Sequence, residues 1–212
     1  MSRLWFGLLG APFFLTSLLV FGALNPGYRH SQAAVSRLGA FGAPWFLAFD
    51  FLGLLIPGLL TAGVALGLRR SERAAGAVTR SSGGLLLFGV MFGLAAIPAD
   101  YREMFRSPWT WLHTFFVTVP PLIYFAAIPG CARSLRRLGV SRFAAGVFFV
   151  LGYLPLAEFS LYGVLGDRRG LVQRLTIVTV HLGIAWLSWT LLGIERSGPG
   201  PRLDAPGGLR AS

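Results

Sequence analysis

Apolar residues run in long, nearly uncharged blocks along this chain, separated by short clusters of Arg, Gly and Pro. A helix needs about 20 predominantly apolar residues to cross the hydrocarbon of a bilayer. Five blocks reach that length and one falls slightly short: roughly residues 4–24, 45–68, 84–99, 111–128, 143–165 and 171–194. The third is the short one, and Pro98 is placed to end it, because proline disfavours helical backbone in the residue before it. The pattern predicts an all-α fold, a six-helix transmembrane bundle over residues 1–194. The first block reads as a retained helix and not as a signal peptide. Its apolar run is longer than a typical secretory core, and no clean small-x-small site precedes Asn25-Pro26. Residues 195–212 offer little to bury and are expected to form a disordered cytoplasmic tail.

Composition supports the membrane reading and removes another. Charged residues make up 13% of the chain, about half the usual share, which excludes an ordinary soluble domain. The net charge of +11 comes entirely from Arg and sits in the connections, where it sets orientation and does not indicate a nucleic-acid partner. Arg69, Arg70, Arg73 and Arg80, then Arg133, Arg136, Arg137 and Arg142, share one side with the terminal Arg3, Arg196, Arg202 and Arg210. The other side carries Arg29, Arg37, Arg102, Arg106, Arg168, Arg169 and Arg174. The richer side is expected to be cytoplasmic, so both termini face the cytoplasm of a multi-pass protein of the cell membrane. The lone Cys131 excludes an intramolecular disulfide and reads as a small buried residue.

Between helices in lipid, close backbone approach takes over from hydrophobic drive. Gly63 and Gly67 in the second span, and Gly89 and Gly93 in the third, have the small-xxx-small spacing that makes such a seam. Pro57, Pro120, Pro121 and Pro155 fall inside spans, where each removes a backbone donor, so kinks are expected there.

The polar residues within membrane reach carry the most information, because ionisable groups in a bilayer are costly and face the bundle interior. Counted at about 1.5 Å per residue from the span ends, Asp50, Asp100, His113, Glu158, Arg174 and His181 all fall in the outer half, with none deep in the inner half. Arg174, His181 and Ser188 are seven residues apart and share a face of the sixth span. Arg174 is the natural ion-pair partner for Glu158 or Asp50. Three readings compete for this set. One is an ion-pair network that fixes helix register, and another is an outward-facing pocket for a lipid or other amphiphile. The third is a metal-dependent intramembrane hydrolase of a lipid amide or ester, with zinc on His113, His181 and one or more of Asp50, Asp100 and Glu158. No H-x-x-x-H or comparable ligand motif supports the third, so no metal or cofactor is assigned. Ser31 and Ser36 lack the strand-turn-helix setting of a nucleophile, so a catalytic triad is rejected. An inverted-repeat transporter would place a counterpart of Asp50 near the inner end of the fifth span, and none is there. Binding or a structural role is preferred to catalysis. The expected partners are membrane lipids, and nothing in the sequence sets an oligomeric state.

The first outer loop reads Tyr28-Arg29-His30-Ser31, then Val35-Ser36-Arg37-Leu38-Gly39-Ala40-Phe41-Gly42-Ala43-Pro44. Ile97-Pro98-Ala99-Asp100 closes the third span, Leu112-His113 opens the fourth, and Gly170-Leu171-Val172-Gln173-Arg174 with Trp186 marks the sixth. Over roughly residues 4–194 this resembles the prokaryotic membrane proteins grouped as domain of unknown function 998. The resemblance implies a six-helix membrane bundle with no established activity, and it picks out Ser36, Asp100, His113, Gln173 and Arg174. Asp50 departs from the pattern, which has a neutral, Asn-like residue there, so a role for its carboxyl would not be shared.

Overall fold

In the computed structural model, residues 2–76, 81–103, 106–161 and 163–197 are described. The apolar blocks become helices α1 (Trp5–Ala23), α2 (Phe46–Phe49) continuing through a π-helical stretch (Asp50–Leu55) into α3 (Ile56–Ala74), α4 (Ser81–Leu94), α5 (Pro108–Arg137), α6 (Arg142–Ser160) and α7 (Arg169–Ser197). Five of these rods are long and apolar enough to cross a membrane, the second running unbroken from Phe46 to Ala74. There is no strand among the described residues. Helices α1, α3, α4, α5, α6 and α7 pack in that order, each on the next, and α7 closes the ring against α1.

The ring is filled. On the side of the termini, Leu4, Val64, Leu68, Phe88, Tyr124, Ile128, Ile184 and Leu187 form the larger buried cluster. Under the first loop, Phe14, Leu18, Phe21, Leu38, Phe49 and Leu54 form a second. Outside it, Leu19, Leu47, Leu59, Leu122, Phe143, Phe159 and Trp189 stay exposed, as a lipid-facing belt requires and a water-facing surface would avoid.

The departures from expectation have local causes. Helix α4 spans Ser81–Leu94, 14 residues, about 21 Å at the helical rise, and it ends four residues before Pro98. The π-helical stretch directly precedes Pro57, which sits in the first turn of α3. Proline has no N–H to give the preceding turn and its ring crowds a carbonyl there, and widening that turn relieves both. Helix α5 runs through Pro120, Pro121 and Pro129, and α6 runs through Pro155. Helix α6 ends five residues before Leu165, at Ser160, whose hydroxyl turns back onto the Ala157 carbonyl at 2.6 Å. At the far end, α7 takes in Glu195–Ser197, and the rest of the expected tail, 198–212, lies outside the described residues, as does Arg80.

Both glycine pairs pack against a neighbouring helix, as their spacing implies. Gly89 and Gly93 of α4 do meet α3, but on Gly58 and Ala62: a Cβ at Gly89 would fall 2.6 Å from the Ala62 nitrogen. Gly63 and Gly67 face α1 instead, where their missing side chains make room for Phe6 and Leu4. The second rod therefore uses two small-residue faces, one for each neighbour in the ring.

Candidate functional site

The first loop is fastened to the start of α7. Gln173 accepts the Val35 N–H through Oε1 at 2.8 Å, and the Leu171 N–H donates to the Ser31 carbonyl at 3.0 Å. Arg174 donates through Nη1 to the carbonyls of Ala33 (2.9 Å) and Gly170, and through Nη2 to the Tyr28 hydroxyl. The Tyr28 hydroxyl in turn donates to the Ala34 carbonyl at 3.2 Å, and its ring lies 5.4 Å from the guanidinium carbon. The planar five-donor fork of Arg suits this job, since it satisfies several loop acceptors at once. Gly170 is required by the approach: a Cβ there would stand 2.5 Å from the Ala33 carbonyl oxygen. Ser36 shares a 2.6 Å hydrogen bond with Tyr101, tying the same loop to the next one. Burial raises the pKa of Tyr28 against the opposing pull of Arg174. Burial and the Arg174 charge lower that of His30, which stands edge-on to Tyr28 at 5.2 Å.

A second set closes the gap left by the early end of α4. Backbone that leaves a helix at membrane depth must find partners within the protein. His113 of α5 is hydrogen-bonded through Nδ1 to the Ile97 carbonyl at 2.8 Å; a carbonyl only accepts, so the imidazole donates. The Phe41 N–H donates to the Ala99 carbonyl at 2.9 Å. The Thr110 hydroxyl donates to the Asp100 carbonyl at 2.8 Å. The Asp100 carboxylate accepts the N–H groups of Arg102 (3.1 Å) and Glu103 (3.4 Å), a turn made by its own side chain. Asp100 and His113 thus complete a helix that stops short.

The remaining groups are placed differently. Asp50 is 4% exposed, its Oδ2 has no hydrogen-bond partner, and its carboxyl presses on the loop where a Cβ at Gly39 would clash with Oδ1. His181 is 1% exposed, stacked on Phe14 and edge-on to Phe92, each at 5.6 Å. Its Nδ1 serves the Ile177 carbonyl at 2.8 Å, which leaves Nε2 an acceptor with no donor. Glu158 accepts from the Thr179 hydroxyl at 2.8 Å through Oε1, while Oε2 is buried and unpartnered. Ser188 lies further along α7 against Gly7, its hydroxyl also unpartnered.

The eight expected residues therefore do not form one cluster. Ser36, Gln173 and Arg174 meet in the loop clamp, and Asp100 and His113 meet at the α4–α5 corner. Asp50 and His181 border the aromatic cluster beneath the loop, and Glu158 stands apart between α6 and α7. The expected pairing of Arg174 with Glu158 or Asp50 is not formed, because the Ala33 and Gly170 carbonyls and the Tyr28 hydroxyl supply the acceptors. A buried carboxylate outside the expected set lies four residues past Leu68 on α3. Glu72, 2% exposed, accepts the hydroxyls of Ser81 (3.0 Å) and Ser134 (2.7 Å), tying α3 to α4 and α5. The signal for it was present: Glu72 continues the buried face of Ala65 and Leu68 at helical spacing. Among the described residues no three His, Cys, Asp or Glu side chains gather to hold a metal ion, so the ligand set of the hydrolase reading does not assemble.

The model of the family described as "Protein of unknown function (DUF998)" matches residues 8–190. No curated protein and no solved structure matches the chain.

Proposed function

The chain belongs to the DUF998 family of proteins of unknown function, and from its geometry we propose a multi-pass membrane protein that binds an amphiphile beneath its first loop. The observation that carries this reading is Asp50, a buried carboxyl on a π-helical stretch whose Oδ2 has no hydrogen-bond partner. An ionisable group in a membrane span that no protein group satisfies is retained for something other than stability, and π-helical turns recur at functional sites. The surroundings have the composition of a ligand site, mostly apolar with a few polar groups at the edges, and side chains fill them while the loop is down. Phe14, Phe21, Phe49 and Phe92 supply the apolar wall, and the bare Nε2 of His181 supplies a second polar contact.

An unpaired carboxyl selects a head group that donates hydrogen bonds, and a primary ammonium is the best fit. The clamp of Arg174 and Gln173 holds the loop that covers this place, so the loop must lift at Gly39 to admit a ligand. In the membrane, the two Arg-rich connections and the termini face the cytoplasm and the clamped loop faces outward.

The test is competition between two lipids with the same acyl chains. Phosphatidylethanolamine carries N–H donors and phosphatidylcholine carries none. Protein reconstituted with an equal mixture and re-extracted should retain phosphatidylethanolamine preferentially, by mass spectrometry. Asp50→Asn should lose that preference. Identical lipid profiles for the two proteins would overturn the assignment.

A further inference from the structure

On the face opposite the clamped loop, an open groove of about 350 Å³ runs between α5 and α6. Pro129, Ala132, Ala145, Gly146 and Phe149 line it, with Arg133 and Arg136 at its edge. Its concavity comes from small residues: a Cβ added at Gly146 would meet nothing within 4 Å. The lining runs seven residues along α5, from Pro129 to Arg136, about 10 Å, and four along α6, from Ala145 to Phe149, about 6 Å. That carries its floor from the charged helix ends into hydrocarbon depth. Arg136 commits one nitrogen to the Val140 carbonyl at 3.0 Å. Arg133 is exposed, and Arg137 and Arg142 stand at the same end, also exposed. Two guanidinium groups at the edge of an apolar channel, with two more at the same helix ends, are complementary to one kind of molecule.

We infer that this groove binds an anionic phospholipid, with one acyl chain along Ala132, Gly146 and Phe149 and the phosphate at Arg133 and Arg136. Basic pockets between membrane helices recognise such head groups by charge, and the acyl chain fixes the position. Guanidinium groups suit the phosphate because their parallel N–H groups match its oxygens. The site lies on the opposite face from Asp50 and takes the opposite head-group charge, so the two assignments succeed or fail separately.

The experiment is native mass spectrometry of the detergent-purified full chain titrated with phosphatidylglycerol or phosphatidylcholine of identical chains, with inorganic phosphate as a third probe. The wild type should retain one phosphatidylglycerol in preference to phosphatidylcholine, and inorganic phosphate should neither bind nor compete. Arg133→Gln should weaken retention about fivefold, the share of one arginine at a lipid surface. Gly146→Leu fills the channel without touching the charges, and it should abolish the preference while the protein stays folded. Equal retention of the two lipids would overturn the proposal, as would retention unchanged by both substitutions. Displacement of the lipid by inorganic phosphate alone would overturn the role of the acyl channel.

Discussion

Gly58→Ala is expected to unfold this protein more readily than any other single-methyl addition to its glycines, by about 1–3 kcal/mol. The added Cβ would lie 2.5 Å from the Gly93 nitrogen, 2.6 Å from the Gly93 Cα and 2.7 Å from the Gly89 carbonyl oxygen. All three are backbone atoms of α4, so no rotamer change can make way and the helices must separate. Helix α4 is short, with 14 residues, and its contact with α3 is its largest with any element. Gly146→Ala is the control, because its methyl group meets nothing within 4 Å. It should be neutral or stabilising by up to about 1 kcal/mol through helix propensity. Unfolding by graded additions of dodecyl sulfate, followed by helical circular dichroism, reads both. Equal midpoints for the two variants would contradict the backbone-to-backbone seam.

The second large effect is expected at the clamp. Arg174→Met keeps an apolar stem on α7 but removes the donors to the Ala33 and Gly170 carbonyls and to the Tyr28 hydroxyl. The Ala33 carbonyl then loses its donor, at a cost of about 1–3 kcal/mol, while the Gly170 carbonyl keeps its helical bond and the Tyr28 hydroxyl its bond to Ala34. Arg174→Lys keeps the charge without the fork and should recover only part of the loss. The released loop carries Arg29 and Arg37, both exposed, so trypsin should cut it faster in Arg174→Met than in the wild type. Adding Glu158→Gln should bring no recovery, because Glu158 bonds Thr179 and not the guanidinium. Full recovery in that double variant would show that the two charges pair after all.

These residues mark what a single sequence can and cannot convey. Hydrophobic block length placed every rod, since span length is set by bilayer thickness. It also identified the short third span, although α4 stops earlier than Pro98 alone implies, because His113, Phe41 and Thr110 capture the carbonyls that follow. Place along the rods is a separate matter: Asp50 follows the start of the second rod by four residues, and Glu158 precedes the end of α6 by two. Lateral position was not legible. Asp50 and Glu158 sit on rods that do not touch in the ring, and spacing along a helix carries no information about which neighbour it meets. The same gap explains Gly63 and Gly67, whose spacing was right and whose partner was α1. Arg174 was expected to seek a carboxylate, because loop carbonyls leave no trace in side-chain chemistry. Glu72 escaped notice because it lies beyond Leu68, where the apolar block ends although the helix continues to Ala74.

The division of labour follows from this geometry. Ser36, Gln173, Arg174, Asp100 and His113 hold the loops, and Asp50, whose Oδ2 none of them reaches, is the residue proposed to meet a ligand. Residues retained for binding commonly reduce stability, whereas residues of a hydrogen-bonded frame supply it. The melting temperature of Asp50→Asn in lipid-depleted detergent, measured beside the wild type, separates the two roles most directly. The account predicts that Asp50→Asn melts higher, because a buried unpaired carboxyl is exchanged for a neutral group of the same shape. A melting temperature lowered as far as that of Arg174→Met would make Asp50 part of the frame and contradict the binding role.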